Sequence, residues 1–247
     1  MNATEHTVTA NGNTITYTLT RKRMKNAILR VTPEGIRVSA PLYMSLDAID
    51  TFVAGNADAI TRARQRLAEA ESKRPAPLTL TEGEVLPLFG IPHTIAVQKA
   101  ARRTAFVENG TLVLQVKNTA DEKERYRAFC DFAEREAIAV LTKRVAELTS
   151  LFAPKPPAPP TLSFRNMTSR WGVCRPSLGR VTLNRRLIFL PPALIDYVIC
   201  HELAHFHHAN HSAVFWQTLS LVMPDCKVRR KALNDYPIPT FKEEAKK

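Results

Sequence analysis

Alternating apolar and polar positions open the chain as β structure. Thr14-Ile15-Thr16-Tyr17-Thr18-Leu19 puts an apolar residue at every second position, the period of a half-buried strand. Residues 27–31 and 35–40 flank Thr32-Pro33-Glu34-Gly35, a turn signal, and are expected to pair as a hairpin. Ser45 stands before Leu46-Asp47-Ala48-Ile49 as an N-cap, so one helix is expected from there towards Ala70. Its later turns carry Arg62, Arg64 and Arg66, which predicts an exposed end. After Pro75-Ala76-Pro77, residues 78–80, 94–97 and 112–116 read as a second group of strands. Glu108-Asn109-Gly110 marks a tight turn before the last of them.

The period then changes. Over residues 121–149, Tyr126, Phe129, Ala133, Ala137, Val140, Leu141, Val145 and Leu148 form an apolar stripe at helical spacing. Residues 154–160 are expected to be an extended polyproline connector. Residues 162–164 and 181–183 read as short strands around a loop at 176–179. Pro191-Pro192 opens a helix expected to run through His208, and Ser212 caps another that ends near Met223-Pro224. No sequence repeat is visible. The pattern predicts an α+β chain in two parts, a β-rich module with one helix over 1–118 and a second domain over 119–247. Residues 121–247 are expected to fold alone.

Composition narrows the class. Hydrophobic residues make up 45% of the 247, enough to bury real cores. No apolar run approaches the ~20 residues of a bilayer span, so no membrane association is expected. The start of the chain has neither a basic segment nor an apolar stretch behind it, and a cytoplasmic protein is expected. The four cysteines, Cys130, Cys174, Cys200 and Cys226, form no C-x-x-C pair and read as small hydrophobes. The net charge is +12, and residues 161–234 hold ten basic residues against three acids. That excess reads either as a solvated basic surface or as attraction to nucleic acid, nucleotides or acidic substrates.

The chemistry concentrates in Cys200-His201-Glu202-Leu203-Ala204-His205, continued to His211. On a helix, positions i and i+4 share a face, so His201 and His205 can aim at one point. Glu202 lies about 100° round the helix, suited to a metal-bound water rather than to the metal. His211 joins them if the helix stops and the chain turns back, for which Ala209-Asn210 offers a place. A carboxylate and two imidazoles on an otherwise apolar helix are costly unless paired or bound to metal. Three histidines leaving a fourth position to water suit a catalytic zinc ion. His207 and His208 are expected to face solvent, and Trp171 and Trp216 to belong to the core.

From these residues the chain resembles the YgjP-like metallopeptidase family, a zincin group related to the SprT-like and WLM proteases. Arg165-Asn166-Met167, Arg170-Trp171-Gly172-Val173-Cys174, Val181-Thr182-Leu183-Asn184 and Arg186-Leu187-Ile188 fit the stretch before the active helix. Asn210-His211-Ser212, Phe215-Trp216, Met223-Pro224-Asp225 and Arg229-Arg230 fit the stretch after it. The resemblance implies a zincin-like domain, a Zn2+ cofactor on His201, His205 and His211, and Glu202 as catalytic acid/base. Val173 stands where the family usually has Ser, and Cys226 where Tyr is common.

A zinc metallopeptidase acting on a peptide or protein is therefore the expected function. Arg180 to Asn184 is nominated as the edge strand that aligns substrate. Arg170, Asn184 and Arg186, with Arg185, are candidate substrate contacts. A zinc-dependent nucleotide phosphoanhydride hydrolase is the first alternative, since converging arginines suit phosphate. A nucleic-acid-associated protease related to SprT-like proteins is another. A pure nucleic-acid-binding module ranks last, because no RRM aromatics, helix-turn-helix pattern or P-loop is present.

Overall fold

The computed structural model describes residues 3–10, 12–72, 76–153 and 159–242. The chain is α+β and separates into two compact units, Met1–Pro75 and Ala76–Lys247. Among the described residues no helix is long and apolar enough to cross a membrane.

The first unit is one sheet and two helices. Strands β1 (Thr4–Ala10), β2 (Asn13–Lys22), β3 (Ile28–Thr32) and β4 (Gly35–Pro41) lie in the order β1-β2-β4-β3. The period-two pattern of β2 buries Ile15, Tyr17 and Leu19, and β4 adds Ile36, Val38 and Ala40 to the same core. Helices α1 (Leu46–Gly55) and α2 (Ala57–Ser72) complete that core with Ile49, Val53, Ala57 and Ile60. Ser45 caps α1 as expected, accepting from the Ala48 N–H at 3.2 Å. The single helix expected here is two. The break falls at Asn56, whose side-chain amide donates to the Phe52 carbonyl at 2.8 Å.

The second unit begins with β5 (Val85–Leu88), β6 (Ile91–Lys99), β7 (Thr104–Glu108) and β8 (Thr111–Val116). Their order, β5-β6-β8-β7, repeats that of the first sheet, with antiparallel outer pairs and a parallel central pair in each. The fold thus repeats a topology where the sequence shows no repeat. Asn109 (φ 48°) and Gly110 (φ 75°) make the tight β7–β8 turn. The expected strand at 78–80 is only an isolated bridge between Leu78 and Phe241.

Helix α3 (Glu122–Thr149) starts at Asp121, which accepts from the Lys123 N–H at 2.8 Å. A three-stranded sheet follows, formed by β9 (Thr161–Arg165), β10 (Gly172–Arg175) and β11 (Arg180–Asn184) in the order β10-β11-β9. Most of the expected polyproline connector, residues 154–158, lies outside the described residues. A 3-10 turn at Arg185–Phe189 leads into α4 (Pro192–Ala204), then α5 (Ala213–Val222) and α6 (Cys226–Asp235). The α4 helix stops at Ala204, a turn short of the expected His208.

The boundary expected at 118/119 falls instead at 75/76. Leu86, Leu88, Ile95, Leu112 and Leu114 share one core with Phe129, Leu141 and Val145 of α3 and with Leu194, Val198 and Ile199 of α4. Gly90 (φ 79°) packs so closely on Pro191 that a Cβ there would lie 2.8 Å from the Pro191 Cα. Arg144 of α3 then pins α4 through both oxygens of Asp196, at 2.6 and 2.7 Å. Residues 119–247 therefore hold only part of a core. Removing five buried Leu and Ile side chains forfeits on the order of 10 kcal/mol, comparable to a domain's whole stability. A fragment of residues 76–247 should be soluble and unfold cooperatively in denaturant, whereas 121–247 should aggregate. A soluble, cooperatively folded 121–247 would restore a boundary near 118/119.

Candidate metal centre

Helix α4 is apolar almost all round. Leu194, Ile195, Tyr197, Val198, Ile199, Cys200, Leu203 and Ala204 are buried, and so is Glu202 among them. His201 sits on its last turn and His205 at its C-cap. The chain then turns through residues 205–208 and returns His211. That return depends on the Asn210 side chain, which accepts from the Ser212 N–H at 3.2 Å. Ligand atoms of His201, His205 and His211 all lie within 4.8 Å of one another, and the Nε2 atoms of His201 and His211 are 2.9 Å apart.

These residues fit a metal ion. Nitrogens around a tetrahedral zinc stand about 3.3 Å apart, between the two observed distances. The His208 carbonyl lies 3.0 Å from His205 Nδ1, which leaves Nε2 of that ring for the site. The Phe215 ring, fully buried, floors all three imidazoles at centroid distances of 5.1, 4.8 and 4.9 Å. Burial, with the neighbouring His205 and His211, pushes the His201 pKa down to about 4. His211 is also lowered, by burial first and then by His205 and Arg230. Both rings are thus neutral near pH 7, the form that ligates.

The Glu202 carboxyl is 6% exposed, and burial raises its pKa to about 7. A backbone hydrogen bond from Cys174 and the charge of Arg170 oppose that rise. Strand β10 comes this close because residue 172 has no side chain. A Cβ on Gly172 would lie 2.5 Å from Glu202 Cγ and 2.6 Å from Oε1. Sequence reasoning places Gly172 only within a motif and gives no sign of this contact. Val173, next in the strand, pairs opposite Thr182 and by alternation points to the other face of the sheet. Cys226 is buried in the main core at 1% exposure.

The other expected contacts fare differently. Arg170 is exposed and acts on Glu202 through its charge. Asn184 is 2% exposed, and its amide donates to the Met167 and Arg170 carbonyls at 2.8 and 2.9 Å. It pins the loop before β10 instead of facing a substrate. Arg186 donates to the Pro239 carbonyl at 3.0 Å, and Arg185 is ion-paired with Glu134. Both line a pocket of about 70 Å³ with Phe129, Phe189 and Phe241, and none of the three histidines lines it. Arg185 and Arg186 are thus engaged away from the histidines. Strand β11, nominated as the edge, is the centre of its sheet, flanked by β10 and β9; β10 is the edge that packs on α4.

His207 and His208 are half-buried, not solvent-facing. His207 stacks on Phe152 at 5.7 Å, and His208 bonds Thr218 at 2.9 Å. Trp171 and Trp216 are packed against the main core as expected.

Comparison with known proteins supplies a family. The sequence profile of the YgjP-like metallopeptidase domain matches residues 25–236. No curated protein matches the chain. Among solved structures, the crystal structure of the metallopeptidase zymogen of Pyrococcus abyssi abylysin aligns over 40% of this chain and 98% of its own. It does so at 18% identity and a TM-score of 0.35.

The Gly172 contact can be tested through stability. Gly172→Ala should cost about 1–3 kcal/mol by overpacking against Glu202. In a Glu202→Asp background, whose carboxylate retracts by one methylene, the same substitution should cost clearly less. Equal losses in denaturant unfolding of both backgrounds would show that the contact does not set the spacing.

Proposed function

This chain belongs to the YgjP-like metallopeptidase family, and on that footing we propose that it is a zinc-dependent peptidase. His201, His205 and His211 hold the ion, and Glu202 serves as general base and then general acid. One observation carries the reading: three imidazoles gathered within 4.8 Å of one another, beside the buried carboxyl of Glu202 on the helix that carries His201. Zinc in such a set supplies Lewis-acid polarisation of a water and of the peptide carbonyl.

The chain's own residues do the rest. Glu202, with a pKa near 7, is poised to take a proton from the attacking water and return it to the departing amine. The Cys174 N–H and the Gly172 backbone keep its carboxylate in one orientation. The outer edge of β10 leaves backbone groups for an extended peptide to pair with, directly beside Glu202. The nucleotide reading needs several arginines at the site, and Arg185 and Arg186 are engaged elsewhere. A nucleic-acid-associated peptidase is favoured only by the exposed Arg165, Arg175, Arg180, Lys227 and Lys231.

Glu202→Gln should retain its metal by elemental analysis and lose peptide cleavage by about 10²–10⁴-fold. Turnover of a quenched-fluorescence peptide library by zinc-loaded protein measures this. Wild-type turnover in the variant would remove Glu202 from the reaction. Nucleoside triphosphate hydrolysis through Glu202, with no peptide cleaved, would replace the peptidase reading.

A further inference from the structure

A guanidinium stands beside the histidine site, and among the described residues no carboxylate neutralises it. Arg230 of α6 is exposed, and its Cζ lies 5.0 Å over the ring of Trp216. That ring is 6.2 Å from the centroids of both His201 and His211, and lies within 30° of parallel to the latter. Among the described residues no carboxylate pairs with Arg230. Its neighbour Arg229 is engaged, donating to Asp225 at 2.8 Å and to the Ala193 carbonyl at 3.0 Å. Arg144, which reaches α4 from α3, is paired with Asp196 and Glu147.

Stacking matters here because an arginine's plane is what recognises a carboxylate. A free arginine must give up rotamer freedom to bind; one braced on an indole face has already lost part of it. Its fork can then meet both oxygens of a carboxylate in parallel hydrogen bonds. We propose that Arg230, braced on Trp216, is a specificity residue that binds a carboxylate carried by the substrate close to the bond being cleaved. The inference rests on the peptidase reading and adds a substrate class to it, peptides bearing a negative group beside the scissile bond. An acidic side chain and a free C-terminal carboxylate share this chemistry.

The test uses three hydroxamate-headed dipeptides on zinc-loaded full-length protein, with affinity read by calorimetry. One has an acidic side chain and an amidated end, one a neutral side chain and a free carboxylate end, and one is neutral at both places. At least one carboxylate probe should bind about fivefold or more tightly than the neutral probe, the upper range for an exposed ion pair. Which of the two does so identifies the source of the carboxylate. The advantage should disappear in Arg230→Gln and persist in Lys231→Gln, which removes an exposed charge from the same helix. Equal affinity for all three probes in the wild type would overturn the assignment. So would an advantage that survives Arg230→Gln, or one lost equally in Lys231→Gln. If no probe binds at all, the metal reading fails first and the specificity residue with it.

Discussion

The centre of this structure depends on keeping one carboxylate inside an apolar helix. An isolated buried charge costs several kcal/mol, and Glu202 is 6% exposed among leucines, valines and isoleucines. Two features reconcile it with that place. Burial raises its pKa to about 7, which lowers the cost of the neutral form near physiological pH, and β10 brings backbone against it. That approach needs a residue without a side chain at 172 and an N–H two positions on, at Cys174.

The surrounding architecture reads as support for this contact. Strand β10 is held antiparallel by β11, and β11 is held in turn by the parallel β9. Asn184, at the end of β11, fastens the Met167 and Arg170 carbonyls and so fixes the loop that delivers Gly172. On the other side, the bidentate Arg144–Asp196 pair and the close approach of Gly90 to Pro191 fix where α4 lies. The strands from 85 to 116 therefore belong to the same unit as α4, since their buried faces and that helix share one core.

How much of this is legible in the sequence depends on the range of each signal. The three histidines and Glu202 span eleven positions, and helical spacing alone brings the first two rings together. The long apolar stripe of α3 and the Asn109-Gly110 turn are equally local. Strand β10 is not legible: four residues with a glycine at the start show no alternation, and its partners define it. Strand order is hidden for the same reason. Periodicity reports which residues face a core and says nothing about whether β11 or β10 lies at the edge. Arg185 and Arg186 look free in the sequence because their partners, Glu134 and Pro239, are about fifty residues away. The domain boundary is misplaced by a linear reading because a change from strand to helix at 121 resembles a domain junction, and shared burial is invisible to it.

The central claim is a metal ion placed between three histidines with Glu202 outside the ligand set. Anomalous diffraction at the zinc absorption edge, from crystals of zinc-loaded protein, measures that placement directly. The expected result is one strong peak within about 2.0–2.1 Å of a nitrogen of each of His201, His205 and His211, with the Glu202 carboxylate beyond bonding distance. No peak at the histidines, or a peak to which Glu202 is directly bound, would contradict it.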